Sequence, residues 1–100
     1  MNENEFNSLA DMALTRIETA CDNAGVDVNR SGNVLEIEFD NGTKIIVNRH
    51  DINQEIWVAA PSGGFHYAYL NDAWTSHRDD SELYAKLAEL FTEQNETFQP

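Results

Sequence analysis

This chain has a single cysteine, Cys21, in 100 residues. That excludes an internal disulfide and the zinc patterns built on paired cysteines. Bases are scarce as well. Six Lys and Arg stand against eighteen Asp and Glu, a formal net charge of −12. Such a chain repels phosphate backbones and anionic bilayers, so neither nucleic acid nor membrane is an expected partner. No apolar stretch approaches the length of a membrane span. The start, Met1-Asn2-Glu3-Asn4-Glu5, lacks the basic and apolar regions of a secretory signal, and its acids count against a mitochondrial presequence. A cytoplasmic location is the expectation. His50, His66 and His77 form no helical metal pair, and no Ser-His-Asp set or phosphate-cradling glycine loop is present.

What is there is a folding composition: 41% hydrophobic residues and ten aromatics, enough for one modest core and a single domain over residues 1–100. The negative charge is unevenly spread. Residues 1–40 hold nine acids and two bases, residues 41–78 three of each, and residues 79–100 six acids and one base. The acidic outer segments are those with helical periodicity. Two surfaces of different chemistry are implied, one suited to cations or basic proteins and one nearly neutral.

Residues 4–23 read as an amphipathic helix with Phe6, Leu9, Ala10, Ala13, Ile17, Ala20 and Cys21 on one stripe, stopped at Ala24-Gly25. Short strands follow. Val26 and Val28 precede a turn at Arg30–Asn33, and Leu35, Ile37 and Phe39 alternate with polar residues. The Asp40-Asn41-Gly42 turn admits two registers. A three-residue loop sets Phe39 opposite Thr43, Ile37 opposite Ile45, Leu35 opposite Val47 and Glu38 opposite Lys44. It is preferred because it keeps one face apolar and pairs charges on the other. Residues 55–60, Phe65–Tyr69 and the region of Trp74 supply further strands. A last helix opens at Asp79-Asp80-Ser81-Glu82 with Asp79 as its cap and Leu83, Leu87, Leu90 and Phe91 as its stripe. Residues 95–100 are expected to fray. The pattern is α+β: an antiparallel meander of about six strands with both helices on one face and the other face open.

Cys21 lies on the apolar stripe and reads as a buried thiol; His66 reads as a surface histidine of the open face. Trp57 points away from the helices if Ile56 and Val58 point toward them. It would share the open face with Ile46, Ala59, His66 and Val34, as a binding anchor does. Asp11, Glu18 and Asp22 share the outer stripe of the first helix, and Asp27 follows on an edge strand. Carboxylates suit hard cations such as Ca²⁺, Mg²⁺ and ferric iron. An open ridge of this kind offers weak binding, tolerant of metal identity. A solvated acidic face is the alternative.

Four stretches together resemble the bacterial frataxins: Lys44-Ile45-Ile46-Val47-Asn48-Arg49, Ile56-Trp57-Val58, Gly63-Gly64-Phe65-His66-Tyr67 and Trp74. Asn4-Glu5-Phe6 and Leu9-Ala10-Asp11 also look like the first helix of that family. The resemblance implies a two-layer α/β sandwich. It implies weak iron binding, Fe²⁺ or Fe³⁺, on an acidic ridge, with other divalent or trivalent cations able to substitute. On that reading Glu3, Asp11, Glu18, Asp22 and Asp27 are the metal residues. Glu18, Asp22, Glu36, Glu38, Trp57 and His66 are the partner-binding residues. The implied partners are the cysteine desulfurase and scaffold protein of iron–sulfur cluster assembly, and the implied role is to regulate them, with iron delivery a further possibility. A monomer is expected, with metal-driven oligomers as the alternative. Thr19 and Asn23 stand where relatives are often acidic, so the ridge is thinner. Glu55 and Ile52 depart from a common glutamine and proline. Competing readings are a ferroxidase or iron store, also attributed to the family, and an acidic mimic of nucleic acid.

Overall fold

The structure, a computed structural model, describes residues Met1–Pro100. Helix α1 (Glu3–Ala24) is fixed at both ends. Asn2 accepts a hydrogen bond from the Glu5 N–H while the Glu5 carboxylate accepts from the Asn2 N–H, a reciprocal cap. At the other end Gly25 takes φ 71°, the left-handed turn that a residue without Cβ adopts cheaply. The chain then runs through β1 (Asp27–Ser31), β2 (Val34–Glu38), β3 (Lys44–His50), β4 (Glu55–Ala60), β5 (Gly63–Leu70) and β6 (Ala73–Thr75), and ends in α2 (Leu83–Glu93).

The six strands form one antiparallel sheet in sequence order. The two helices lie on one face of it, giving a two-layer α+β sandwich. Buried Leu35, Ile37, Ile45, Val47, Ile56, Val58, Tyr67 and Trp74 come from the strands. They meet Phe6, Ala10, Leu14, Ile17 and Cys21 of α1 and Leu83, Leu87, Leu90 and Phe91 of α2. Period-two alternation leaves the other sheet face without a covering layer. The β2–β3 register is the one that a three-residue loop requires. Leu35 faces Val47, Ile37 faces Ile45 and Glu38 faces Lys44, with Gly42 at φ 86°.

Three local expectations change. Strand β1 continues through Ser31, and the connection to β2 is the two-residue loop Gly32-Asn33 instead of a turn beginning at Arg30. Gly32 at φ 59° supplies the twist that such a short loop needs. Helix α2 starts at Leu83, capped by the Glu82 carboxylate, which accepts from the Ala85 N–H. Asp79 accepts from the Ser81 N–H instead. The reason is that the chain at Ser81-Glu82 still pairs with the sheet. Ser76 N–H donates to the Ser81 carbonyl, and Thr75 bridges to Glu82. Finally, the tail does not fray through to its end. Phe98 is buried, 5.0 Å from the Phe91 ring and 6.5 Å from the Tyr84 ring. No helix is long and apolar enough to cross a membrane.

Candidate functional site

The acidic side of α1 is built together with two arginines from the sheet. In β1, Val28 and Arg30 point toward the helices, while Asp27, Asn29 and Ser31 point away. Arg30 therefore reaches under α1. Its guanidinium donates to Thr15 Oγ1 at 3.0 Å and lies 3.4 Å from Asp11 Oδ1 and 3.7 Å from Glu18 Oε1. Arg49, on β3, is almost fully buried. It donates to Asp11 at 2.6 Å, to Asp51 at 3.1 Å and to Asn7 Oδ1, with its guanidinium over the Phe6 ring. Asp11 thus lies between two guanidinium groups.

The remaining ridge residues are placed differently. Glu3 sits in the first turn of α1, where the partial positive charge of the helix end favours an acid. It is about 28 Å along the helix from Asp22, too far to share an ion. Glu18 and Asp22 are one turn apart, near the carboxyl end, where the helix dipole disfavours negative charge. No basic residue occupies that last turn. Asp22 is exposed and makes no ion pair. Asp27 is exposed on the open-face side of β1, opposite Glu38, and Glu36 is held by Lys44 at 2.9 Å. No three His, Cys, Asp or Glu side chains converge into a cage for a cation. The donor set suits a hard cation, but as an open ridge and not a closed site.

Cys21 is fully buried behind this surface. Burial, with Asp22 and Glu18 nearby, pushes its thiol up to about 12, so it holds its proton and is not a nucleophile.

The open sheet face carries a second feature. Trp57 lies between two imidazoles, His50 at 3.9 Å and His66 at 4.1 Å between ring centroids, both nearly parallel to the indole. Its indole N–H donates to Glu55 Oε1 at 2.8 Å. The expected placement holds, since Ile56 and Val58 are buried and Trp57 is not. Its neighbours are also on this face: Ile46 opposite Ala59, Val34 opposite Asn48, and Asn48 and His66 opposite Trp57. The exposure is less than expected, because the two imidazoles cover both indole faces and leave the side chain half-buried. His50 was the missing neighbour. Its signal lay in the register, since residues 48 and 50 of β3 share the face of Trp57. Arg30 was missed on the other face; the parity of β1 groups it with Val28.

Comparison with known proteins agrees with these features. A frataxin-like domain model matches residues 1–97. An iron-sulfur cluster assembly protein CyaY of Chromobacterium violaceum is 55% identical over 91 residues, 89% of this chain and 87% of that protein. The CyaY of Paraburkholderia phymatum is 46% identical over 94% of this chain and 91% of its own. Among solved structures, the frataxin of Psychromonas ingrahamii superposes with a TM-score of 0.90 at 35% identity, covering 99% of this chain and 97% of that one. A trimeric frataxin of Saccharomyces cerevisiae, complexed with ferrous iron, superposes at 0.70 with 26% identity, over 94% and 86% of the two chains. With its sandwich, its register and nearly its whole length matched, this chain belongs to the frataxin family, and within it to the bacterial CyaY type.

Proposed function

We propose that this chain binds iron weakly along the acidic side of α1 and the neighbouring β1–β2 edge. From that surface it regulates iron–sulfur cluster assembly in the cytoplasm by docking onto a cysteine desulfurase and its scaffold protein. Iron is cargo in this reading, and other divalent or trivalent cations can substitute. The observation that carries the proposal is the pair Glu18 and Asp22, one turn apart at the negative end of a helix whose last turn has no base. Arg30 meets Glu18 at 3.7 Å and leaves Asp22 without a partner, so a cation there relieves repulsion that the fold compensates only in part. Asp27 follows from β1. Glu3 is a separate, weaker contact, and Asp11 takes part only when a guanidinium yields. The ferrous iron in the yeast relative supports the same class of ligand.

Docking would use Glu18, Asp22, Glu36 and Glu38 for a basic partner surface and the Trp57–His66 stack as a neutral anchor on the open face. An anaerobic amide-NMR titration with Fe²⁺, then with the desulfurase, tests both parts. Shifts should centre on Glu18, Asp22 and Asp27 for the metal. Reversing Glu18 and Asp22 to Lys should weaken the complex far more than the same change at Glu93 and Glu96. Metal shifts centred on the histidines, or equal effects of the two reversals, would overturn the proposal.

A further inference from the structure

Strand β5 has eight residues, but β6 pairs with only its last three. Ala68 faces Thr75, Tyr69 faces Trp74 and Leu70 faces Ala73. From Gly63 to Tyr67, about 17 Å of strand, the outer edge of the sheet has no partner strand. The two-residue loops at Pro61-Ser62 and Asn71-Asp72 fix which backbone groups point outward. They make Ala60–Gly63 and Leu70–Ala73 the hydrogen-bonded pairs of their hairpins. By alternation, residues 63, 65 and 67 bond to β4, while Gly64 and His66 direct their N–H and C=O groups away from the sheet. Natural edges of this kind are normally covered or blunted. Here Gly63 and Gly64 leave the edge bare.

A polar groove of about 470 Å³ runs along this edge, walled on the far side by the loop Ser76–Asp79. Its two acids are already engaged. Glu55 accepts from the Trp57 indole, and Asp79 accepts from the Ser81 N–H; the Ser81 hydroxyl first, and then this N–H, hold its carboxyl below the usual carboxylate range. Its arginine is not engaged. Of the six Lys and Arg side chains, Arg30, Lys44, Arg49 and Lys86 meet carboxylates and Arg16 lies over the Tyr84 ring. Arg78 alone has neither a carboxylate nor an aromatic ring. In a chain with eighteen acids, a free guanidinium beside a free strand edge is a specific arrangement.

We infer that this edge is a docking groove for an extended acidic peptide segment of a partner protein. The segment continues the line that β6 leaves, its backbone bonding to Gly64 and His66 and a carboxylate side chain pairing with Arg78. Main-chain bonds supply affinity, and the charge pair supplies selectivity. This surface is separate from the acidic side of α1.

The test uses the full chain and a capped octapeptide alternating valine with glutamate, against its valine–lysine counterpart. At about 0.15 M salt the long-range charge of the protein is screened, yet whatever remains favours the lysine peptide. A preference for glutamate therefore reports local pairing. The glutamate peptide should shift the amides of Gly64, His66 and Arg78. Its affinity should fall about tenfold in Arg78→Gln. It should be lost when alternate peptide nitrogens are methylated, a change that leaves the protein untouched. Three results would overturn the inference: no shift at these amides at about 1 mM peptide, equal binding of the lysine peptide, or the same shifts on concentrating the protein alone, which would assign the edge to a second copy.

Discussion

The Arg49 guanidinium of β3 holds the Asp11 carboxylate of α1 at 2.6 Å, and the Arg49 side chain is only 8% exposed while Asp11 is 57% exposed. The contact ties the helix layer to the sheet, and its two halves are not equivalent. Arg49→Met removes charge-assisted hydrogen bonds to Asp11 and Asp51, the bond to Asn7 and the cation over the Phe6 ring, and should destabilise by about 3 kcal/mol. Asp11→Asn leaves Arg49 its bonds to Asp51 and Asn7, and should lose about 1 kcal/mol. Urea unfolding at constant m-value measures both. Equal losses would show that Arg49 does not organise the site.

A second expectation concerns cations and the helix end. Asp22→Asn removes an exposed like charge from the negative end of α1. It should raise the stability of the metal-free protein by about 0.5 kcal/mol while weakening cation binding. The wild type should gain about 1.4 kcal/mol at a free cation concentration tenfold above Kd. Thermal unfolding with and without Mn²⁺ or anaerobic Fe²⁺ reads both. An Asp22→Asn protein that is less stable without metal and equally stabilised with it would separate Asp22 from the site.

Much of this was legible in the sequence where one period or one face decided the outcome. The β2–β3 register followed from keeping Leu35, Ile37, Ile45 and Val47 on one side, because a one-residue slip exposes all of them. The α1 and α2 stripes followed from spacing. Contacts between elements far apart in sequence were not legible. Asp11 and Arg49 are joined only by the fold, as are Glu18 and Arg30, so the ridge reads as five free acids although two of them meet guanidinium groups. The start of α2 was displaced because Ser81-Glu82 pairs with β6, a tertiary contact that outweighs a local capping pattern. The Phe98 ring was invisible for the same reason: a lone aromatic in a polar tail has no period.

The Trp57 stack should matter more to binding than to folding. Trp57→Ala should lose about 1–2 kcal/mol of stability, from stacking and cross-strand packing. Trp74→Ala should lose about 3–5 kcal/mol, because Trp74 is 3% exposed against Phe6 and Tyr69. In a Trp74→Phe background, removing His50 and His66 together should red-shift Trp57 emission and ease its quenching by acrylamide. An unchanged spectrum would mean that the imidazoles do not shield the indole in solution.

Cys21 gives a pH dependence with a defined sign. Its thiol is raised from 9.0 to about 12 in the fold, chiefly by burial. Above pH 9 the unfolded chain releases this proton and the folded chain keeps it, so the unfolded state binds fewer protons and stability falls as pH rises. The contribution is complete below pH 9 and lost by about pH 12. Tyr67 and Tyr84, also raised by burial from 10.0, add a loss that begins later. Between pH 9 and 10, Cys21→Ala should therefore flatten the stability profile. In the wild type at neutral pH, a disulfide-exchange reagent should label Cys21 only at the rate of opening. Rapid labelling of the native protein would contradict its burial.

Phe98 should behave as a core residue despite its place in the tail. It closes an aromatic set with Phe91 and Tyr84, and Phe91 in turn packs edge-on against Phe39 at the β2–β3 hairpin. Phe98→Ala leaves an apolar gap over α2 that the polar residues Asn95, Glu96 and Gln99 cannot fill. The expected loss is about 3 kcal/mol, at the low end for a truncated phenylalanine because the tail can relax. Phe98→Leu should recover about half of it. Hydrogen exchange should rise in the last turn of α2, where the Glu96 N–H donates to the Phe91 carbonyl. A Phe98→Ala protein with wild-type stability would return the tail to a frayed end and remove the third ring from this edge of the core.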